Sequence, residues 1–333
     1  MVNFSGTPND MSTKVTPVVP LVCLFAVILL LSSVTLVIKY IFQHSSLQPI
    51  GLAYFRVMIG FLFLFGVTLL WDRRGLLSLA ASDLLRLGVV GFLGVFSYAI
   101  SAWGLMHTSV IHYALIYGLL PSCTATLSAF FGKDQMNVWK CGGIAISLIG
   151  CVIAVTQGAP YEEETIQFGD LFVLLFTVMM SAHIVFSSGI VKRFGVMVSN
   201  TVMFGSSSLL LFVGSLEWSE PLPEVVSPLI TASVLYIGCA TAAIFLLRYR
   251  SLQSLSPAIV GTYHNLIPVC TVLLAYICFD EPVGAKTILG GVMVVVGAEV
   301  VRRAQILPLL SLRYWAKPSL SNVESIKPPA ESL

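Results

Sequence analysis

Ten apolar runs of about 20 residues divide this chain, and they leave few architectures open. A helix of about 20 residues is long enough to cross a hydrocarbon core roughly 30 Å thick. The runs cover approximately residues 18–42, 49–71, 84–106, 110–131, 138–156, 168–191, 197–216, 229–247, 257–279 and 284–302. With 57% hydrophobic and 10% charged residues, the chain is too apolar for a water-soluble domain of average composition. The sequence therefore predicts an all-α polytopic membrane protein with ten transmembrane helices.

The spacing of the runs predicts the domain organisation. Two units of five helices, 18–156 and 168–303, are separated by an external linker at 157–167. A polar tail at 1–17 precedes the first run, which is longer than a signal-peptide core and is therefore predicted to be a retained helix. The tail at 304–333 mixes Ser, Pro and charge, a composition typical of disorder.

The basic residues predict the orientation in the membrane. Fifteen of the 18 Lys and Arg residues fall in connections on the side of the amino terminus. Lys39 and Lys286 lie on the other side, and Arg56 lies within the second run. Because positive residues are retained in the cytoplasm, both termini are predicted to be cytoplasmic, and the expected location is the plasma (inner) membrane.

The two five-helix units are related by an internal repeat. Adding 147 to each position from 90 to 151 gives ten identical pairs out of 62 without a gap. They include Pro121 with Pro268 and Gly143 with Gly290. Because each unit has an odd number of helices, the second copy must cross the bilayer in the opposite sense, which predicts an inverted 5+5 repeat.

A family resemblance follows from these features. Each half has a Pro in its fourth helix, an acidic residue just after that helix (Asp134 in the first half, Asp280-Glu281-Pro282 in the second) and glycines in its fifth helix. This arrangement, over about residues 18–303, resembles the drug/metabolite transporter superfamily, in particular its EamA-repeat members. The resemblance implies secondary transport of a small organic solute, such as an amino acid, a metabolite or a drug, without naming the substrate.

The two prolines are predicted to break their helices near the middle of the bilayer. A Pro cannot donate to the carbonyl four residues earlier, so Pro121 frees the carbonyl of Tyr117 and Pro268 frees that of His264. Such carbonyls need a partner that lipid cannot supply, and broken helices therefore tend to line cavities. The alternative is a simple kink at each Pro, with a Ser or Thr hydroxyl satisfying the carbonyl.

Polar residues around these prolines are the candidate substrate contacts. Tyr113 lies one turn before Tyr117 on the same face, and Tyr263, His264 and Asn265 form a polar cluster in an apolar run. Polar groups at this depth are costly and tend to face the interior of the bundle. The alternative is that they only join helices. His264 could also titrate near neutral pH and couple protons to transport.

Further candidates for the cavity wall are Tyr98 in the third helix and His183 in the sixth. Arg56 has two interpretations. Its long side chain could extend to the outer headgroups, or it could face the cavity and attract an anionic group.

Charged residues near helix ends are predicted to be structural. Asp170 begins the sixth helix, where a negative charge favours the helix dipole. Glu299 precedes Arg302 and Arg303 by three and four residues, a spacing that predicts an intrahelical ion pair. His112 lies near the outer end of the fourth helix and is expected to contact water.

The leading hypothesis is a secondary transporter that exports an amino-acid-like or drug-like solute by alternating access, with protons as a candidate coupling ion. A nucleotide-sugar or organic-phosphate antiporter is an alternative, but it needs cationic groups in the cavity and only Arg56 has any depth. A non-transporting receptor or assembly factor is a second alternative. All seven cysteines lie in apolar runs without metal-site spacing, and no Walker or hydrolase motif is present. We therefore expect no cofactor, no metal, no enzymatic activity and no nucleic-acid partner, while a homodimer is compatible with the sequence.

Overall fold

Long apolar helices make up almost all of the described chain, because a backbone in lipid must satisfy its hydrogen bonds internally. The computed structural model describes residues 18–132, 136–155, 167–218, 227–252 and 265–304, and this part contains no β-strand. The helices are α1 (Val18–His44), α2 (Pro49–Trp71), α3 (Arg73–Leu77), α4 (Ala81–Met106), α5 (Val110–Tyr117), α6 (Leu120–Phe130), α7 (Val138–Val155), α8 (Phe168–Phe194), α9 (Val196–Trp218), α10 (Pro228–Leu252), α11 (Ile267–Phe279) and α12 (Ala285–Ala304).

Eight segments of the described chain are long and apolar enough to cross a membrane. They are α1, α2, α4, the α5–α6 pair taken together, α7, α8, α9 and α10. Two more helices complete the predicted count. The described part of the ninth run holds α11, an apolar helix of 13 residues, and the tenth run forms α12, of 20 residues, with Glu299, Arg302 and Arg303 towards its end. The predicted ten-helix architecture is confirmed.

The distribution of polar and apolar side chains is that of a membrane bundle. Large apolar residues face outward, as shown by Leu70 and Phe130, which are 83% and 81% exposed. Hydroxyl residues lie inside, among them the fully buried Ser97 and Thr68. The Thr68 hydroxyl is 2.8 Å from that of Thr201 on α9. Lipid thus solvates the outer surface, while polar groups find partners between helices.

Helices α7 and α12 show that the two halves are related by an inverted repeat. A Cβ added at Gly143 would lie 2.7 Å from the carbonyl oxygen of Gly297, and one added at Gly150 would lie 2.7 Å from that of Gly290. A shift of 147 residues converts the first contact into the second. As the residue number rises along α7, the number of its partner falls along α12, so the two helices are antiparallel.

The same symmetry governs the rest of the bundle. The contact of α4 with α8 has its counterpart in that of α10 with α1, and the contact of α6 with α8 in that of α11 with α1. Helices α2 and α9 are equivalent to each other and pack together, as do α7 and α12. The first helix of each repeat therefore packs against the third and fourth helices of the other repeat, and the centre of the bundle belongs to both.

The predicted break in the fourth helix is present. Helix α5 ends at Tyr117, and α6 begins at Leu120 with Pro121 in its first turn. Helix α11 begins in the same register, at Ile267 with Pro268 in its first turn. Both prolines line a small pocket of about 30 Å³, roughly the volume that one water molecule occupies in the liquid. Prolines that start helices at equivalent positions thus meet where the two halves join.

The helix termini gather at two ends of the bundle. Lys39 of α1 donates a hydrogen bond to Thr108 in the α4–α5 connection, and Glu281, which follows α11, accepts one from Val110 at the start of α5. We refer to this as the Glu281 end. At the opposite end, Arg193 of α8 lies 3.7 Å from Asp83 of α4, close to Gly195 in the α8–α9 connection. We refer to it as the Gly195 end.

Candidate functional site

A cavity of about 450 Å³ lies between the two repeats. Its wall is formed by α1, α2, α4, α5 and α6 of the first repeat and by α8, α9, α10 and α11 of the second. Small-molecule sites in proteins usually measure about 300–1,000 Å³, so the cavity is large enough for an organic solute. Five of the predicted contact residues line it: Arg56, Tyr98, Tyr113, Tyr117 and His183.

Arg56 faces the cavity. It is only 7% exposed, and its Nε donates a hydrogen bond of 2.9 Å to the Oγ1 of Thr241 on α10. Its guanidinium carbon lies 4.2 Å from the centre of the Tyr98 ring, a cation–π distance. Of the two interpretations of this residue, extension to the headgroups is therefore wrong, and the guanidinium is held within the bundle by both repeats.

Aromatic rings form one wall of the cavity. Tyr117 stacks on Phe176 of α8 with ring centroids 5.4 Å apart and planes inclined by 13°, and Tyr113 stacks on both rings at 6.2 Å. The Tyr113 hydroxyl is 2.8 Å from that of Ser101, which fixes its orientation. Phe176 was not predicted, because a Phe in an apolar run has no feature that separates a cavity position from a lipid-facing one.

His183 lines the cavity beside α4. Its Nδ1 lies 2.9 Å from the carbonyl oxygen of Val90. A carbonyl can only accept, so Nδ1 donates, and in the neutral ring Nε2 is left as an acceptor. Gly94 makes this position possible, because a Cβ there would overlap the imidazole ring. His183 can therefore offer an acceptor to a solute.

Arg248 is a cavity residue that sequence reasoning missed. The charge of this residue, near the end of α10, was attributed to membrane orientation alone. Its side chain lines the cavity instead, and its Nε is buried without a hydrogen-bond partner. Nothing in the sequence separated it from the other basic residues near helix ends.

A carboxylate network lies at the Glu281 end of the cavity. Asp170 accepts hydrogen bonds from the Thr108 hydroxyl, from Nδ1 of His112 at 3.1 Å and from the backbone N–H of Gln167 at 3.0 Å. His112 is only 6% exposed, so the expectation that it contacts water is wrong. The buried imidazole has a partner in Asp170, which also accepts the Gln167 N–H at the start of α8 as a capping box.

Glu281 closes the same end from the second repeat. Its carboxylate accepts hydrogen bonds from the backbone N–H groups of Val110 and Ile111, at 2.8 and 2.9 Å. These are the first two residues of α5, whose N–H groups have no partner within the helix. Beside them, Lys39 donates to the carbonyls of Leu105 and Thr108 at 3.1 and 2.6 Å. Helices α1, α4, α5 and α11 are thereby joined at this end.

The lining of the cavity is continuous between the two ends. Ile38 and Tyr113 line it next in sequence to Lys39 and His112 of the polar network. From there the lining extends to Val191 and Val196, which flank Gly195 at the other end. The cavity lining therefore reaches the Gly195 end, and at the Glu281 end it lies next to the hydrogen-bonded polar network.

Asn265 lies outside the cavity lining. Its Nδ2 donates to Glu299 at 3.2 Å, and Glu299 also accepts hydrogen bonds from Arg302 and from Arg303. The predicted intrahelical ion pair is confirmed, and Asn265 connects the start of α11 to it. Its contact with substrate stays a prediction.

Tyr263 and His264 lie outside the described residues, which resume at position 265. Their predicted roles in substrate contact, and the proton coupling assigned to His264, therefore remain predictions.

Comparison with known proteins agrees with this architecture. The model of the EamA-like transporter family matches residues 19–156 and 167–303, one copy on each half of the chain. The chain belongs to the EamA-like transporter family. Two EamA repeats thus account for most of the chain, and the predicted resemblance is confirmed.

Curated relatives of this EamA protein are transporters. The uncharacterized transporter YyaM of Bacillus subtilis (strain 168) is 26% identical over 214 residues, 63% of this chain and 70% of the relative. An uncharacterized transporter of Archaeoglobus fulgidus is 24% identical over 260 residues, 76% of this chain and 87% of the relative. The protein is accordingly an integral membrane transporter rather than an enzyme.

A solved crystal structure shares the fold. It superposes with a TM-score of 0.61, covers 86% of this chain and 97% of its own, and is 17% identical in sequence. At this identity the likeness establishes the fold of the EamA protein and carries no statement about its substrate.

Proposed function

We propose that the protein is a secondary active transporter that moves a small organic solute through the central cavity by alternating access. The observation that carries the proposal is the cavity of about 450 Å³, which is lined by helices of both repeats. Inverted repeats around a central site can exchange conformations, so that the cavity opens first to one side and then to the other. A receptor or assembly factor would not require such a cavity.

The contact residues of this proposal are those on the cavity wall. Tyr113 and Tyr117 offer ring faces and hydroxyl groups, His183 offers an acceptor, and Arg56 next to Tyr98 offers a positive charge. Membership in a transporter family supports solute binding at this wall.

The proposed orientation places both termini in the cytoplasm of a cell with the protein in its plasma membrane. Arg73, Arg74 and Arg193 all lie at helix ends on the Gly195 side, which the positive-inside rule assigns to the cytoplasm. The cavity then extends to the cytoplasmic side, from which an exporter would load its solute. Proton exchange is the proposed driving force.

An organic-phosphate or nucleotide-sugar antiporter is the second candidate. The observation that favours it is the position of Arg56, because such a solute needs a cationic group in the cavity. The two candidates differ in whether transport requires a counter-transported solute or a proton gradient.

The proposed function can be tested with the full chain in proteoliposomes. We would measure uptake and exchange of a broad panel of metabolites with and without an imposed pH gradient. The Thr35→Trp variant should abolish transport, because Thr35 lines the cavity and a large ring there would fill it. Gly142→Ala is the matched control, since a Cβ at position 142 would contact nothing within 4 Å. Failure of the parent protein to move any solute would refute the proposal.

A further inference from the structure

Two arginines from opposite repeats share one cavity. Arg56 of α2 is fixed by Thr241 and Tyr98. Arg248 of α10 lines the same cavity, and its buried Nε has no hydrogen-bond partner. Arginine is charged at any accessible pH, so the wall carries two permanent positive charges.

No carboxylate among the described residues lines this cavity to balance those charges. The partners of Arg56 are a neutral hydroxyl and a ring. Three nearby carboxylates are bonded elsewhere. Asp170 is held by Thr108 and His112, Glu281 by backbone N–H groups and Glu299 by two arginines and Asn265. Cations at this depth are normally paired with anions. The described wall of the cavity therefore lacks the negative charge that would balance its two arginines.

The two guanidinium groups are positioned to act on one solute. Thr241, which holds Arg56, and Arg248 are seven residues apart on α10, which places them on one face about 10 Å apart along the axis. Tyr117 lines the cavity together with both arginines. An anionic group in this part of the cavity can therefore be attracted by both charges.

Beside this charged wall lies the aromatic wall of Tyr113, Tyr117 and Phe176. Flat rings favour contact with a planar apolar group. From the two walls we infer that the solute is a small organic anion with a planar apolar body, whose carboxylate or phosphate group is held by Arg56 and Arg248. The inference rests on the proposed transport function and narrows its substrate class, because an amino acid's ammonium group finds no carboxylate on the described wall.

A series of phenyl compounds that differ mainly in charge tests this inference by binding to the purified full chain in detergent. The probes are phenylpyruvate, phenyl phosphate, phenylalanine and phenethylamine, with affinities measured by calorimetry or thermal stabilisation. One or both anions should bind more tightly than the zwitterion and the cation, and the stronger of the two identifies the group as carboxylate or phosphate. Equal or tighter binding of phenylalanine or phenethylamine, or no binding by any probe, would overturn the inference.

Arginine variants locate the bound anion. Arg56→Gln and Arg248→Gln should each weaken anion binding about 10- to 100-fold, the usual effect of losing one hydrogen bond to a charged group. Arg86→Gln is the control, because Arg86 is exposed and lies outside the cavity lining. Anion binding that survives both cavity substitutions would place the anion elsewhere and overturn the inference. Arg248→Gln keeps the test valid if the Arg56 variant misfolds, because the Nε of Arg248 donates no hydrogen bond that the substitution would remove.

Transport by the same proteins separates the two proposals. If the anions bind at the arginines but the liposomes neither take them up nor exchange them, the inference stands and the proposed transport function falls. If phenylalanine or phenethylamine is transported and binds at least as tightly as the anions, the transport function stands and the inference falls.

Discussion

Arg56 and Thr241 are 185 residues apart in the chain and 2.9 Å apart in space, joined by a hydrogen bond from Nε to Oγ1. Arg56 belongs to the first repeat and Thr241 to the second, so this bond crosses the interface between the two halves at the cavity. Thr241 also donates to the carbonyl of Ile237 at 2.6 Å, which turns its remaining lone pairs towards the guanidinium. The hydrogen bond to Thr241 therefore helps to fix the position of the Arg56 guanidinium.

Replacing Thr241 with Val should destabilise the protein. The change keeps the shape of the side chain but leaves Arg56 Nε without its acceptor, at a cost of about 1–3 kcal/mol in the free energy of unfolding. The Thr241→Ser variant keeps the hydroxyl and should retain most of the stability. Thermal unfolding in detergent measures both. Equal melting temperatures for the Val and Ser variants would show that the hydrogen bond has no stabilising effect.

The fold was predictable because the features that determine it can be recognised in the sequence without knowledge of tertiary contacts. Run length sets the number of crossings, and the regular offset of 147 residues between Pro121 and Pro268 or Gly143 and Gly290 identifies the repeat. The odd number of helices per repeat then fixes the inversion. None of these features depends on which neighbour a side chain meets.

The cavity was only partly predictable, because hydropathy does not fix how an apolar helix is rotated about its axis. Arg248 looked topogenic because a basic residue at a helix end serves orientation equally well whether it faces the cytoplasm or the cavity. His112 looked exposed because its partner, Asp170, is 58 residues away in sequence. Asn265 was predicted as a substrate contact because it is polar, yet its side chain donates a hydrogen bond to Glu299.

Glu281 provides a second prediction, at the start of α5. The N–H groups of Val110 and Ile111 begin α5 and have no partner within the helix, so their protection from hydrogen exchange depends on the Glu281 carboxylate. Glu281→Gln removes the charge and one of the two carboxylate acceptors. Exchange at these two amides should therefore become faster, as measured by mass spectrometry of the peptide that contains them.

Lys286→Gln is the control for this experiment, since Lys286 is an exposed residue near the same end of the bundle. It should leave exchange at Val110 and Ile111 unchanged. If Glu281→Gln also leaves it unchanged, the carboxylate does not hold this end of α5.

The glycines at the α7–α12 contact give a third prediction. Gly150→Ala should reduce the yield of folded protein or lower its melting temperature, because the new Cβ would lie 2.7 Å from the Gly290 carbonyl oxygen and 2.5 Å from Met293 Cβ. Overpacking of this kind typically costs about 1–3 kcal/mol. Size-exclusion profiles and thermal unfolding provide the measurement. Gly142→Ala, on the same helix with open space around the new Cβ, should be tolerated, and equal behaviour of the two variants would contradict the close helix contact.

The fourth prediction compares the same substitution at two arginines. Arg302 is paired with Glu299, whereas Arg248 has no described carboxylate beside it in the cavity. Arg248→Met should raise the melting temperature of the solute-free protein, because it removes a positive charge from a cavity that Arg56 also lines and that has no carboxylate among its described lining residues. Arg302→Met should lower it, because Glu299 would lose hydrogen bonds from Arg302, one of them 2.7 Å long. Thermal unfolding of both variants in one detergent compares the two opposite shifts in melting temperature directly. A lower melting temperature for both would mean that Arg248 is already paired in the empty protein, so that the cavity would no longer need an anion from its solute.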